Sequence, residues 1–405
     1  MCVLIMGGIA LSTVYVIRMH DVKSGLSQLA TDSEHVLEEA FPFDMSGGEK
    51  TQAAESAEES ADTGKYAELL ADPQRMKEEN TYAKTPSVPG EVTMTFTGDV
   101  MFDDSYSIMS TYRKAGDDVN GCMSSDLLDT MRASDILMLN NECTFTNRGT
   151  PTADKAYTFR CKPENVKILQ DMGADIVSLA NNHAYDYGEI SLLDTLDTLN
   201  NASIPYVGAG KNIEEASKPV YFIAGDLKVA VLSATQIERV DNPDTKGATE
   251  NAAGVFRCRD PEALCEAITK AKENCDYVIV YVHWGTENET DIDWAQRDQA
   301  PMYAEAGADL IIGDHPHILQ GITYIGDTPV IYSLGNFWFN SRTIDTGMVQ
   351  ATFDANGLKS FQFIPCLQSG CRTTQLSGGE KERVLQEMRN LSPDVTIDGD
   401  GYVQK

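Results

Sequence analysis

Four of the six histidines stand where chemistry could be done. His183, His283, His315 and His317 each close an apolar run, in SLANNH, YVIVYVH and LIIGDHPH, whereas His20 and His35 lie well upstream in a different kind of sequence. Neutral imidazole ligates zinc, manganese or iron, and carboxylate or amide oxygens suit harder cations. Asp99, Asn182 and Glu142 supply such oxygens, also at the ends of apolar runs. In GDHPH, Pro316 stiffens the chain between two imidazoles and favours holding both near one site. Two metals about 4 Å apart could activate water against a phosphoryl centre while a nearby imidazole protonates the leaving group. The same groups could act on an amide, or hold a polymer without turnover. The residues alone leave all three open.

Side chains so far apart in sequence need a common scaffold. Six apolar runs read as strands: VTMTFTGDV ending at Asp99, DILMLNNEC at Glu142, ADIVSLANNH at His183, DYVIVYVHWG at His283, ADLIIGDHPH at His317 and TPVIYSLGNF at Phe337. Helical patterns lie between them at 163–172, 188–200, 261–274 and 294–306. Such alternation predicts an α/β fold with strands buried on both faces. Every one of the six ends in polar residues on its carboxyl side, the edge where α/β sheets bind ligands. A hairpin at 220–234, turning at Gly225 and Asp226, and strand-rich sequence at 347–365 complicate a single doubly wound sheet. Two packed sheets with helices outside are expected.

The remaining sequence bounds where this body sits. Residues 1–18 contain the uncharged stretch CVLIMGGIALSTVYVI closed by Arg18, which reads as an uncleaved membrane anchor or signal-anchor. Residues 19–91 are acidic and rich in Ser, Ala, Glu and Gly, and read as a flexible stalk. The main domain is expected over 92–365, with 366–405 as a C-terminal extension packing on it by a helix and an edge strand. With 62 acidic residues against 32 Lys and Arg, the net charge of -30 repels nucleic acid and argues against it as a partner. Nine cysteines include no CxxC pair, and the spacing of Cys366 and Cys371 suits a local loop disulfide. LSGGE at 376–380 resembles a transporter ATPase signature, but no GxxxxGK[ST] loop accompanies it.

The ordered motifs GDVMFDDS, NNE at 140–142, SLANNHAYDYG, YVHWGTE, GDHPHILQG and YSLGNF resemble the capsule synthesis protein family of bacterial poly-γ-glutamate production, itself similar in fold to calcineurin-like metallophosphoesterases. The resemblance spans about 92–351. It implies a four-layer α/β/β/α sandwich and a single-pass membrane protein with its main domain extracytoplasmic. It further implies a capsule synthesis or export role alongside capsule synthase membrane proteins. By resemblance the metal ligands are Asp99, Glu142, Asn182, His283, His315 and His317, holding one or two ions of manganese, zinc or iron, and the catalytic residues are His183 and Asp99. Arg160 and Lys162 in TFRCKP are the candidates to meet an anionic polymer or phosphoester. Activity against polymer, phosphatase or phosphodiesterase activity on envelope or nucleotide substrates, and polymer binding without catalysis are the alternatives. Two departures stand out. Met101 occupies the place where the phosphoesterase Asp-x-His motif has histidine, and Asn140, Asn141 and Glu142 replace its bridging Asp. A single ion, or a second one assisted by Asp103 or Asp104, follows from them.

Overall fold

The computed structural model describes residues 64–237 and 245–405. Two sheets face one another. The first runs in the order Thr81–Lys84, Val220–Ala224, Leu227–Thr235, Tyr277–His283, Leu310–Asp314, Thr328–Ile331 and Ile322–Ile325. The second runs Arg372–Gln375, Gly357–Ser369, Ile344–Asp354, Glu91–Val100, Ile136–Asn141, Ile176–Ser178 and Tyr206–Val207, with Asn336–Trp338 beside the end of Glu91–Val100.

Alternation along the strands builds the layers. Ile279 and Tyr281 face inward with Phe222, Val229 and Ile312 and meet Met94, Phe96, Met138 and Ile176 of the second sheet in one apolar cluster. Their neighbours Val278, Val280 and Val282 point the other way, into the cluster that holds Leu264 and Ile268 of helix Glu262–Lys272 and Tyr303 of helix Trp294–Ala306. On the second sheet, Leu137, Leu139 and Val177 turn outward to pack with Ile108, Leu127, Leu169, Leu192 and Leu196 on four helices. Successive side chains on a strand take opposite faces, so each of these strands is apolar throughout and supplies two layers at once. The result is the four-layer α/β/β/α sandwich.

Parallel pairing aligns the strand ends that carry chemistry. Thr235 pairs with His283, and His283 with Asp314, across the first sheet. Across the second, Asn336 pairs with Asp99, Asp99 with Asn140, and Asn140 with Ser178.

Three sequence expectations change. TPVIYSLGNF is not one strand: Thr328–Ile331 lies in the first sheet, Asn336–Trp338 in the second, and the chain crosses between them at Gly335, whose φ is +70°. The crossing is tight, because the Asp99 amide donates to the Gly335 carbonyl at 3.0 Å and a Cβ on Gly98 would stand 1.9 Å from that oxygen. Residues 64–91, assigned by composition to the stalk, join the fold. They form helices Ala67–Leu70 and Pro73–Glu78 and an edge strand, Thr81–Lys84, lying parallel to Val220–Ala224. Lys65 Nζ reaches Asp276 at 2.6 Å and Lys84 pairs with Asp175, anchors that composition does not reveal. Cys366 and Cys371 are not partnered: Cys371 Sγ lies 3.2 Å from Ser107 Oγ, and Cys366 Sγ faces the Ile364 carbonyl at 3.6 Å. The expected anchor at 1–18 lies outside the described residues, among which no helix is long and apolar enough to cross a membrane. Beyond residue 365, strand Arg372–Gln375 forms a sheet edge and helix Gly378–Leu391 packs Val384, Leu385 and Met388 into the inter-sheet core.

Candidate metal centre

At the aligned carboxyl ends of the strands, His283 is the hub. Its Nε2 has Glu142 Oε1 at 2.9 Å, Asn182 Oδ1 at 2.9 Å and His315 Nδ1 at 3.1 Å. One ring nitrogen can offer at most one proton, so it cannot satisfy three such neighbours. Three potential acceptors, Glu142 Oε1, Asn182 Oδ1 and His315 Nδ1, thus crowd a nitrogen that can donate to only one of them. On the other side, Asp99 Oδ2 lies 3.2 Å from His317 Nδ1, and that nitrogen also has Asn336 Oδ1 at 2.9 Å. The side chains of Asp99, Glu142 and His283 have no exposed surface.

Asn140, at the same strand end, acts through hydrogen bonds. Its amide nitrogen donates to Asp99 Oδ1 at 2.7 Å and its oxygen accepts from Asn181 Nδ2 at 3.0 Å. The amide is spent in positioning, and Glu142, two residues on, presents the carboxylate. Met101 cannot replace a histidine ligand here, since its sulfur accepts the Asp103 amide at 3.0 Å.

The residues fit a cation on three counts. Ligand atoms of Asp99, Glu142 and His283 lie within 4.8 Å of one another, as do those of Glu287, His315 and His317. Glu142 Oε2 and Asp314 Oδ1 are buried without a hydrogen-bond partner and Asp99 Oδ2 meets only the His317 ring, a costly arrangement for Glu142 and Asp99 unless positive charge joins them. The protonation pattern shows the same demand. Burial opposes charge on His317, yet Asp99 and Glu142 outweigh it and raise its pKa to about 9. Glu142, although buried, is held below the usual carboxylate range by His283. His315 is pushed well below the ordinary imidazole value by burial and by His283. Burial and the neighbouring Asp99 push Asp314 well above the carboxylate range, and the Tyr281 hydroxyl donates to its other oxygen.

His183 stands at the rim with a separate set of partners. Its Nδ1 lies 2.8 Å from Asp186 Oδ2, whose second oxygen receives Lys155 Nζ at 2.6 Å. Lys155 also holds the Asn182 carbonyl, fixing the backbone between the Asn182 amide and the His183 ring. Phe159 packs against His183 with ring centroids 4.3 Å apart. Next to Phe159, Arg160 lays its guanidinium over the Tyr187 ring at 4.4 Å. Arg160 and Lys162 line a 270 Å³ cavity with Asp103, Asp104, Thr146, Asn147 and Tyr187, and none of the four histidines lines it. Asp103 and Asp104 accept the backbone amides of Arg160 and Lys162 at 2.7 and 3.0 Å and so fix that loop.

The structure therefore gathers Asp99, Glu142, Asn182, His283, His315 and His317, sets His183 at their rim and puts Arg160 and Lys162 in the adjoining cavity. Glu287, Asp314, Asn336 and the Lys155–Asp186 pair were not singled out in the sequence. Glu287 follows His283 by four residues in HWGTE and Asp186 follows His183 by three in NNHAYD, spacings that could have flagged them.

Residues 93–341 match the family described as bacterial capsule synthesis protein PGA_cap. The chain belongs to that family. The PGA biosynthesis protein CapA of Bacillus subtilis strain 168 is 34% identical over 70% of this chain and 74% of its own length. The capsule biosynthesis protein CapA of Bacillus anthracis is 30% identical over 74% of this chain and 73% of its own. A solved 5'-nucleotidase from Candida albicans SC5314 superimposes over 70% of this capsule-family chain and 53% of its own, with TM-score 0.36 and 14% identity.

Proposed function

We propose that this capsule-family chain acts in the assembly or export of a poly-γ-glutamate-like polymer, through a metal-dependent hydrolase or transferase site formed by Asp99, Glu142, Asn182, His283, His315 and His317. The observation that carries the reading is the cluster of buried carboxyl groups of Asp99, Glu142 and Asp314, short of hydrogen-bond partners, beside converging imidazole nitrogens. A divalent ion held there would supply electrophilic charge to an oxygen of the scissile group. Manganese, zinc and iron suit the mixed nitrogen and oxygen donors, and the two donor groups accommodate one ion or two.

The chain's own residues do the rest. Asp186 accepts the Nδ1 proton of His183, which leaves Nε2 to exchange a proton with the leaving group. Lys155 holds Asp186 in place, and Phe159 covers one face of the imidazole against water. Arg160 and Lys162 receive negative charge from the substrate on a surface that otherwise repels it, given the net charge of -30. The Asp186–His183 pair equally favours a second reading, a phosphatase or phosphodiesterase acting on envelope or nucleotide substrates.

We place the body outside the cell membrane, tethered by residues 1–18 and reaching synthase membrane proteins through the acidic stretch that follows. The apolar run closed by Arg18 supports this reading. Protease added to intact cells should remove the body; resistance to it would contradict the placement.

The deciding experiment compares the full-length chain with His183→Ala and His315→Ala. Metal content is measured beside hydrolysis of a γ-glutamyl polymer and of a model phosphodiester. His183→Ala should keep its metal and lose turnover, whereas His315→Ala should lose both. Full activity or full polymer output in His183→Ala would leave polymer binding without catalysis.

A further inference from the structure

We infer that Cys143 and Cys161 form a disulfide when the chain folds in an oxidising compartment, and that this bond ties the strand end bearing Glu142 to the loop bearing Arg160 and Lys162. No disulfide joins any of the eight described cysteines in this structure, yet these two sulfurs lie 3.2 Å apart. A disulfide holds its sulfurs at about 2.0 Å, so closure asks for an approach of about 1 Å.

The backbone already holds the pair together. Thr144–Phe145 runs parallel to Arg160–Cys161, the Thr144 amide and hydroxyl both donate to the Phe159 carbonyl at 3.2 and 3.0 Å, and the Thr146 amide donates to the Cys161 carbonyl at 3.0 Å. Both side chains are buried in the apolar cluster on the outer face of the second sheet. Apart from each other, the sulfurs face only Asn141 Oδ1 at 3.6 Å and the Thr144 carbonyl at 3.7 Å. Bond formation gives up two weak thiol contacts. The spacing of 18 residues encloses TFTNRGTPTADKAYTFR, which includes Lys155 and Phe159, the two residues that hold and cover the His183 site.

The reaction is thiol–disulfide exchange. Two S–H bonds break, one Sγ–Sγ bond forms, and two protons and two electrons pass to the disulfide of a small-molecule or protein oxidant, which becomes a dithiol. Burial shields both sulfurs once the sheet has closed, so the exchange belongs to folding. The inference rests on the contact between the two thiols and holds whether or not the neighbouring site binds metal.

The test refolds the full-length chain from denaturant in a buffer of oxidised and reduced glutathione, then traps free thiols with N-ethylmaleimide in denaturant and digests without reductant. The expected result is one linked peptide pair containing Cys143 and Cys161, two hydrogens lighter than the thiol forms. Maleimide on both residues, or linkage of either to another cysteine, overturns the inference. A second readout is thermal. Protein refolded with oxidant should melt roughly 5 °C above protein refolded with reductant. The Cys143→Ser, Cys161→Ser double variant should show no such difference. A linked peptide with no rise in melting temperature would contradict the claim that the bond ties the loop.

Discussion

Asp99, Glu142 and Asp314 bring three carboxyl groups into one space closed to solvent, where Glu142 and Asp314 each keep an oxygen without a hydrogen-bond partner and Asp99 Oδ2 meets only the His317 ring. A protein arranged for stability alone would not leave them so, because each unpaired buried oxygen costs about 1–3 kcal/mol or more. At Asp99 the His317 imidazole already supplies positive charge. Asp99→Asn keeps the shape and removes charge; without added metal it should melt a few degrees lower than the parent, because buried His317 loses its partner. The rise in melting temperature that manganese or zinc gives the parent should vanish in the same variant. An unchanged metal response would remove Asp99 from the ligand set. His183 makes a different demand. Asp186→Asn should lower turnover by about 100- to 10,000-fold while metal content stays that of the parent, because the lost carboxylate orients the imidazole and selects its tautomer. Loss of metal together with activity would make Asp186 structural. That the candidate site residues converge was legible in the sequence, since each closes an apolar run. Lys155 was not: it reaches Asp186 across 31 residues through a loop with no periodic pattern to place it.

The elements hold the site by bringing two sheets into contact where the chain crosses between them. Gly98 and Gly335 meet there, and no side chain fits at either: Gly98 faces the Gly335 carbonyl, and Gly335 takes a φ of +70° against Ile318. Gly98→Ala should cost more than about 3 kcal/mol, read as a lowered midpoint in urea. A loss under about 1 kcal/mol would show that the sheets can separate there without penalty. At the opposite edge of the first sheet, the segment beginning at Lys65 is fastened by charge. Burial would raise the pKa of Asp276, but Lys65, the Lys228 amide and Tyr66 outweigh it and hold the carboxyl below its ordinary value. A carboxyl depressed in the folded state contributes above the unfolded value near 3.9 and loses that contribution as pH falls through the folded one. Proteolysis by pepsin in the segment 64–80 should therefore accelerate below about pH 4, and Asp276→Asn should show the same acceleration at neutral pH with a neutral protease. Equal rates in parent and variant would discount the fastening. The long central strands, the hairpin and both outer helices of the first sheet were readable from period and apolarity. The split at Gly335 was not, because one apolar run served two strands in different sheets. The edge strand Thr81–Lys84 was hidden as well, since its binding comes from partners far along the chain, in Val220–Ala224 and at Asp175.

For the molecule as a whole, the four layers align the strand ends that carry the candidate metal site. Under the proposed function, a surface of net charge -30 repels anionic polymer, and Arg160 and Lys162, which line the cavity beside the His183 site, are the proposed places for it to be held. Replacing both with alanine should raise KM for a γ-glutamyl polymer about tenfold or more, with metal content unchanged, and an unaltered KM would assign the polymer to another surface. All of this depends on the buried cluster being a metal centre. The most direct test is equilibrium dialysis of the full-length chain, stripped with chelator, against micromolar manganese or zinc, beside the His283→Ala variant. Retention of at least one ion per chain by the parent, with none above background in the variant, is the predicted result. Equal retention by both, or none by either, would contradict it.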